Sequence, residues 1–403
     1  MELLQRESPF LKCPFPEPAM AATQAPATPA QAPPEASLVQ FVWYFLRLGC
    51  FGFGGPIALV GYMQKDLVEE RQWIAQQDYL DGLAFSQLAP GPLAAQLAMY
   101  LGFVRAGLWG ATVVGVAFIL PSFLMVVAIG AAYVHFGGTH IIAALFYGIG
   151  AAVIGIIARS AMKLVKTSLK KDWLLWGVFL GLALTTAITE RENVWLFLAA
   201  GFLVMLLRTP PSLWKRQHAM YVLAPFSLTM SKVGGLFAFF LKASLFVFGS
   251  GLAIVPFLHG GVVQEHHWLT EEQFLDAVAV AMITPGPVVI TAAFVGYLVA
   301  GFPGACAAAL GVFLPVYLFV TVIGPFYKRF SQNKQIRSFV QGVTAAATGA
   351  IAGAVVVLAR HSVRDWWTLG IAVATFLILT KWKIPEPIII VLAGGLGVAL
   401  SFR

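Results

Sequence analysis

The chain has 403 residues, 59% of them hydrophobic and 11% charged, with a mean hydropathy of +0.82, whereas soluble domains are near half apolar and a quarter charged. That composition excludes a soluble enzyme, and Cys13, Cys50 and Cys306 are spaced for neither a disulfide framework nor a metal site. The formal charge of +8 sits in Lys/Arg clusters between apolar runs, where it reads as membrane topology; no nucleic-acid partner is expected.

Residues 1–37 form a Pro/Ala/Gln-rich tail without the apolar core of a signal peptide, and read as disordered. Apolar elements then follow in order. The first carries Phe51-Gly52-Phe53-Gly54-Gly55-Pro56, and the second carries Leu88-Ala89-Pro90-Gly91-Pro92. Four more run near Trp109–Tyr133, Ile141–Ala158, Trp173–Ile188 and Trp195–Leu207, the last two short for a span of about 20 residues. A polar linker, residues 208–232, leads to a further series over 233–403. No G-x-x-x-x-G-K-[ST] loop occurs, so the chain does not burn ATP.

The second series repeats the first. Pro90-Gly91-Pro92 recurs as Pro285-Gly286-Pro287, an offset of 195 that also pairs Arg47 with Lys242, Phe53-Gly54 with Phe248-Gly249, Trp73 with Trp268 and Asp81 with Asp276. One deletion later, an offset of 194 pairs Gly102 with Gly296, Gly110-Ala111 with Gly304-Ala305 and Leu120-Pro121 with Leu314-Pro315. The chain is therefore two homologous halves, 38–207 and 233–403.

Basic residues set the orientation of each half. Arg159, Lys163, Lys166, Lys170 and Lys171 follow the fourth element of the first half, and residues 134–140 before it hold no Lys or Arg. In the second half Lys328, Arg329, Lys334 and Arg337 precede the fourth element instead. The positive-inside rule then gives the halves opposite orientations. The expected fold is an all-α polytopic membrane protein of two inverted halves, each with five to six membrane elements and one of its two broken elements re-entrant.

Both prolines of Pro-Gly-Pro lack an N–H, so a helix must stop there and restart at Pro92 or Pro287; Gly55-Pro56 restarts a helix in the same way. Such breaks leave N–H groups and a positive dipole end inside the membrane, a setting suited to an anion. The candidate site therefore comprises Gly54, Gly55, Pro56, Pro90, Gly91 and Pro92 with their counterparts Gly249, Ser250, Thr284, Pro285, Gly286 and Pro287. Gln96 and Thr291, one turn past each Pro-Gly-Pro, are placed to donate hydrogen bonds to an oxyanion. Arg47 and Lys242 fall about nine residues into the first helix of each half, near the middle of a ~30 Å core, where a lone cation needs a cavity or a partner. Asp81 and Asp276 are the proton-carrying candidates, although a Thr270-x-x-Gln273 capping box would put Asp276 near a helix start and equally suits a structural role. The histidines show no ligand spacing; neither a metal nor a cofactor is expected.

At Phe53-Gly54-Gly55-Pro56, Trp73, Leu88-Ala89-Pro90-Gly91-Pro92, Gln96 and Leu120-Pro121-Ser122-Phe123 the chain resembles the chromate ion transporter family in its long, two-repeat form. Phe248-Gly249-Ser250-Gly251, Thr284-Pro285-Gly286-Pro287-Val288 and Phe313-Leu314-Pro315 carry the same resemblance in the second half. It implies a bacterial inner-membrane exporter of chromate, coupled to protons and conferring chromate resistance. Sulfate shares the charge and tetrahedral shape of chromate and stays open as a substrate. Protons, the lipid bilayer and a second copy of the chain in a homodimer are the other expected partners. Competing classes are a passive anion channel and a membrane-embedded lipid-phosphate enzyme; the latter needs clustered carboxylates or an Arg/Ser/His set beside a break, and the sequence has none there.

Overall fold

In a bilayer every backbone polar group must be satisfied within the protein, which leaves helices for a chain of this composition. The computed structural model describes residues 36–53, 55–136, 140–190, 194–209, 232–245, 247, 254–327, 333–363, 365–382 and 384–402, and all regular structure among them is helical. The first half contains α1 (Leu38–Phe51), α2 (Gly55–Met63) continuing as a π-helical stretch over Gln64–Glu70, α3 (Gln76–Leu88), α4 (Leu93–Phe136), α5 (His140–Ser168), α6 (Trp173–Thr189) and α7 (Val194–Arg208). The second contains α8 (Lys232–Ser244), α9 (Ile254–Leu258) with a π-helical stretch over His259–Glu265, α10 (Glu271–Ile283), α11 (Thr291–Leu318), α12 (Lys334–Ser362), α13 (Trp366–Lys381) and α14 (Glu386–Ser401). Leu93–Phe136, Ala144–Ser168, Val288–Phe326 and Lys334–Arg360 are long and apolar enough to cross a membrane. This is a multi-pass membrane protein. The N-terminal tail and most of the linker lie outside the described residues.

The repeat extends to backbone detail. Inside α4 the helix breaks at Ala106 (φ −147°, ψ 31°) and Gly107 (φ 58°); inside α11 it breaks at Ala300 (φ −144°, ψ 26°) and Gly301 (φ 63°). At each break the chain folds back on itself. A Cβ added at Gly102 would stand 2.4 Å from the Gly110 carbonyl oxygen, and one at Gly296 would stand 2.3 Å from that of Gly304. Only glycine permits so close a crossing, which explains the paired Gly102/Gly110 and Gly296/Gly304 positions.

Both Gly/Pro-broken elements of each half, and not one of them, turn back as helical hairpins. In α3 and α4, Phe85 stacks on Tyr100 at 5.7 Å, and Tyr100 fills the space beside Gly82. In α1 and α2, the residues beyond the break return to the start of α1. Trp73 meets Phe41 at 6.3 Å, and Arg71 lies 4.7 Å over the Trp73 ring and 5.8 Å from that of Tyr44. In the second half Trp268 returns to Phe239 of α8 at 5.6 Å, with His266 stacked on it at 4.4 Å. The π-helical stretches, which widen one turn before the chain reverses, sit at equivalent positions in both halves.

The remaining helices are exchanged. α12 packs between α6 and α7 of the first half, and α5 packs between α13 and α14 of the second. Glycines make the contact: Gly349 and Gly353 of α12 meet Phe179 and Ala183 of α6, whereas Gly148 and Gly155 of α5 meet Ala393 of α14 and Ala372 of α13. Because contacts advance together along α6 and α12, those two run parallel. α6 follows α5 through a short turn, so α5 and its repeat partner α12 run in opposite directions.

Candidate functional site

The four hairpins direct their tips toward each other. The Gly91 N–H donates to the Val247 carbonyl at 2.6 Å, and the Gly286 N–H donates to the Gly52 carbonyl at 3.0 Å. Gly91 matches Gly286 and Gly52 matches Val247, so each bond is the image of the other. Each Pro-Gly-Pro tip is thus tied to the first break of the opposite half. Both glycines hold φ values closed to other L-residues, +133° at Gly91 and +96° at Gly286.

Around this crossing the halves differ. The Ser122 hydroxyl on α4 donates to the Pro285 carbonyl at 2.7 Å and lies 3.4 Å from that of Gly49 on α1, so one side chain holds two breaks. Its repeat equivalent is Val316, whose Cγ2 would lie 2.9 Å from a Cβ at Gly91. Ser122 is not among the residues expected from the breaks, yet it stands in the Leu-Pro-Ser-Phe motif, and a serine opposed by valine in the repeat is a legible signal. Ser244 performs the related task between α8 and α11, donating to the Val312 carbonyl at 2.6 Å.

Gln96 and Thr291 are fully buried at the tips. Their donors, however, turn to backbone: Gln96 Nε2 reaches the Pro90 carbonyl at 2.7 Å and Thr291 Oγ1 that of Val288 at 2.8 Å. Thr284 Oγ1 likewise bonds the Val280 carbonyl at 3.0 Å. Thr284 Oγ1 also lies 3.2 Å from the Ala281 carbonyl, whose helical donor Pro285 removes, so the polar side chains at the tips are engaged with tip backbone. The Gln96 Oε1 is left without a partner among the described residues. Gln96→Ala should therefore cost roughly 1–3 kcal/mol by stranding the buried Pro90 carbonyl, seen as a lower melting temperature of the detergent-solubilised protein; an unshifted melting curve would contradict this role.

The other candidates are distributed as follows. Pro92, Pro285 and Pro287 are buried, Pro90, Gly55 and Pro56 half-buried. Gly54, Gly249 and Ser250 lie outside the described residues. Arg47 and Lys242 fall where the helix starts at Leu38 and Lys232 put them, about nine to ten residues in, and both are exposed. Arg47 shares a stripe with Val39, Trp43 and Phe51, all exposed and four residues apart, a face that α1 turns away from its packing against α4. No ion pair or hydrogen bond engages either cation among the described residues, and none joins the two.

Asp81 and Asp276 have different surroundings. Asp81 is half-buried and accepts from Gln77 Nε2 at 2.9 Å. Asp276 is buried, and accepts from the hydroxyl of Tyr133 at 2.7 Å. The capping box at Thr270 and Gln273 is present. It does not bring Asp276 to the surface, because α5, α11 and α14 pack around α10. A separate open groove of 440 Å³ lies between α4 and α11, lined by repeat-paired residues such as Val116 and Leu310 or Leu120 and Leu314. Its lining is apolar apart from the Thr112–Tyr317 hydroxyl pair at 2.9 Å, which excludes it as an anion site.

These features define a multi-pass membrane protein of two matched halves joined at their broken helices. The family model described as "Chromate transporter" matches residues 39–206 and again 234–398, and the chain belongs to that family. It is 57% identical over 378 residues to a "Chromate transport protein" of Cupriavidus metallidurans, covering 90% of this chain and 93% of that one. It is 54% identical over 380 residues to a "Probable chromate transport protein" of Synechococcus elongatus, covering 91% and 96%. An uncharacterized transporter of Bacillus subtilis is 31% identical over 172 residues, 40% of this chain but 94% of its own length, so it corresponds to a single repeat. No solved structure matches the chain.

Proposed function

We propose that this protein exports chromate across a bacterial inner membrane in exchange for protons, and so confers chromate resistance. The observation that carries the reading is the family match over both halves, together with close full-length relatives bearing the name of chromate transport. The crossed tips supply the device. Two symmetry-related bonds between the halves give an element with two matched arrangements, so rocking one half against the other would open the crossing to one side and then to the other.

Orientation follows from charge. Lys163, Lys166, Lys170 and Lys171 at the end of α5 lie on the cytoplasmic side, and Lys334 and Arg337 at the start of α12 lie there too. The hairpins of the first half then enter from the cytoplasm; Arg105 beside the kink of α4 bonds the Ala36 carbonyl at the start of α1, holding both entrances on one side. The hairpins of the second half enter from outside. Arg47 and Lys242 approach the membrane centre from opposite sides, and their combined charge matches a tetrahedral dianion. The site is built from these cations, the tip residues Gly54 to Pro56, Pro90 to Pro92, Gly249, Ser250 and Thr284 to Pro287, with Gln96 and Thr291 holding the tips in shape.

Inverted membrane vesicles test the reading. Labelled chromate should accumulate when the vesicle interior is acid, and collapse of the pH gradient should abolish the accumulation. Excess sulfate should compete if hydrogen bonding and charge alone set the selectivity. Flux that only equilibrates would make the protein a channel.

A further inference from the structure

We infer that the driving proton binds Asp276 from the outer side and is felt by the other half through Tyr133, while Asp81, its repeat equivalent, carries none. The inference rests on the proton-coupled reading above and assigns its proton to one carboxyl. Three observations carry it.

The first is burial. Asp276 is 7% exposed, and the Tyr133 hydroxyl at 2.7 Å is its hydrogen bond. Burial sets Asp276 apart from Asp81, which is half-buried.

The second is the absence, among the described residues, of a cation paired with Asp276. The elements packed against α10 carry few titratable groups, and those described, Glu272 of α10 itself aside, are engaged or distant. His259 of the π-helical stretch is bound to Glu271 at 2.7 Å, Arg159 of α5 to Glu386 of α14 at 3.7 Å, and Arg360 of α12 donates to the Ala187 carbonyl. His135 of α4 is exposed and set edge-on to Phe136, and Tyr297 of α11 packs over Gly130. The lysines of α5 begin at Lys163, about 20 Å along the helix from Gly150, where Leu275 touches α5. Glu272, exposed and one turn before Asp276 on the same helix face, leads from the entrance to the carboxyl.

The third is connectivity. Tyr133 belongs to α4 of the first half and Asp276 to α10 of the second, so this bond, like the crossed tips, joins the halves. α10 ends at Thr284, where the Pro-Gly-Pro tip begins. A proton arriving from external water adds to an Asp276 carboxylate oxygen; no other bond is made or broken. Loss of the charge converts the charge-assisted bond from Tyr133 into a weaker neutral one, and α10 with its tip is released from α4. Loading occurs on the outer side, as export driven by an inward proton gradient requires.

The test uses the full-length protein in proteoliposomes, with chromate as the substrate and a trapped pH dye as the proton reporter. Asp276→Asn should lose at least ten-fold of gradient-driven chromate accumulation and of the chromate-dependent proton signal, while exchange of labelled for unlabelled chromate, which needs no net proton movement, continues. Asp81→Asn should keep the proton signal. Tyr133→Phe, which deletes the hydroxyl from a positioning residue, should keep coupling with a flux–pH profile displaced to alkaline pH. Asp276→Asn that still couples overturns the assignment, as does an Asp81→Asn protein without a proton signal. If Asp276→Asn reconstitutes without exchange, Asp276→Glu decides: the carboxyl must restore the proton signal for the assignment to stand. A wild-type protein that concentrates chromate with no proton signal sinks the proton-coupled reading itself, and this assignment with it.

Discussion

The Arg47→Gln, Lys242→Gln double variant is expected to reach normal abundance in the membrane and to transport no chromate. Each cation lies mid-helix in an apolar stretch, and a lone charge at such depth costs at least ~2.5–3.5 kcal/mol on insertion scales. Each is exposed, and no carboxylate pairs with it among the described residues. On the proposed reading, an anion in the pathway compensates this charge. Removing it therefore relieves insertion and deprives a dianion of its counter-charge, which separates this effect from misfolding. Arg47→Lys should keep part of the activity, since the charge survives without the bidentate fork. Chromate uptake by vesicles and growth on chromate are the readouts; full resistance in the double variant would remove the cations from the pathway.

Gly286→Leu should be the more damaging of the two tip substitutions. A Cβ at Gly286 would stand 2.0 Å from the Ser122 hydroxyl oxygen, at φ +96°. The tip would have to leave Ser122 and, with it, the carbonyl of Gly52 that the Gly286 N–H holds. Backbone strain alone is worth about 1–3 kcal/mol. At Gly91 the nearest atoms are the Val316 methyl at 2.9 Å and the Gln96 amide at 3.0 Å, both side-chain ends able to yield. We expect Gly286→Leu to abolish vesicle uptake and to lower the melting temperature, with Gly91→Leu also inactive but nearer wild type in stability. Ser122→Gly should not rescue Gly286→Leu, because the φ penalty remains. Equal melting temperatures for the two glycine variants would contradict this asymmetry between the halves.

Much of the fold can be read from residues alone because the repeat encodes geometry twice. A Pro-Gly-Pro can end only one helix and start another, so both tips are legible, and Gly102/Gly110 with Gly296/Gly304 mark the two places where a helix folds back on itself. That both broken elements turn back is less legible. The return is set by long-range packing, Trp73 on Phe41 and Trp268 on Phe239, and hydropathy records only that a segment is apolar. The tips of the candidate site were legible as breaks, but the direction of their donors was not. Gln96 turns to Pro90 because the break itself creates an orphan carbonyl, and that local demand wins over an open donor. Tyr133 had a signal that went unused: it recurs as Tyr327 at the offset of 194.

The exchange of helices between the halves bears on how the chain is made. α5, complete by residue 168, rests its glycine face on α13 and α14, which begin only at residues 366 and 386. During synthesis that face must wait in the bilayer, covered by lipid, until α13 and α14 arrive. A chain cut short before α13 would lose more than those helices, since the first half would lose the wall against which α5 closes. Quality control of this protein should accordingly sense the arrival of α13 and α14, and a nonsense mutation just before α13 should be as disabling as one in the first half.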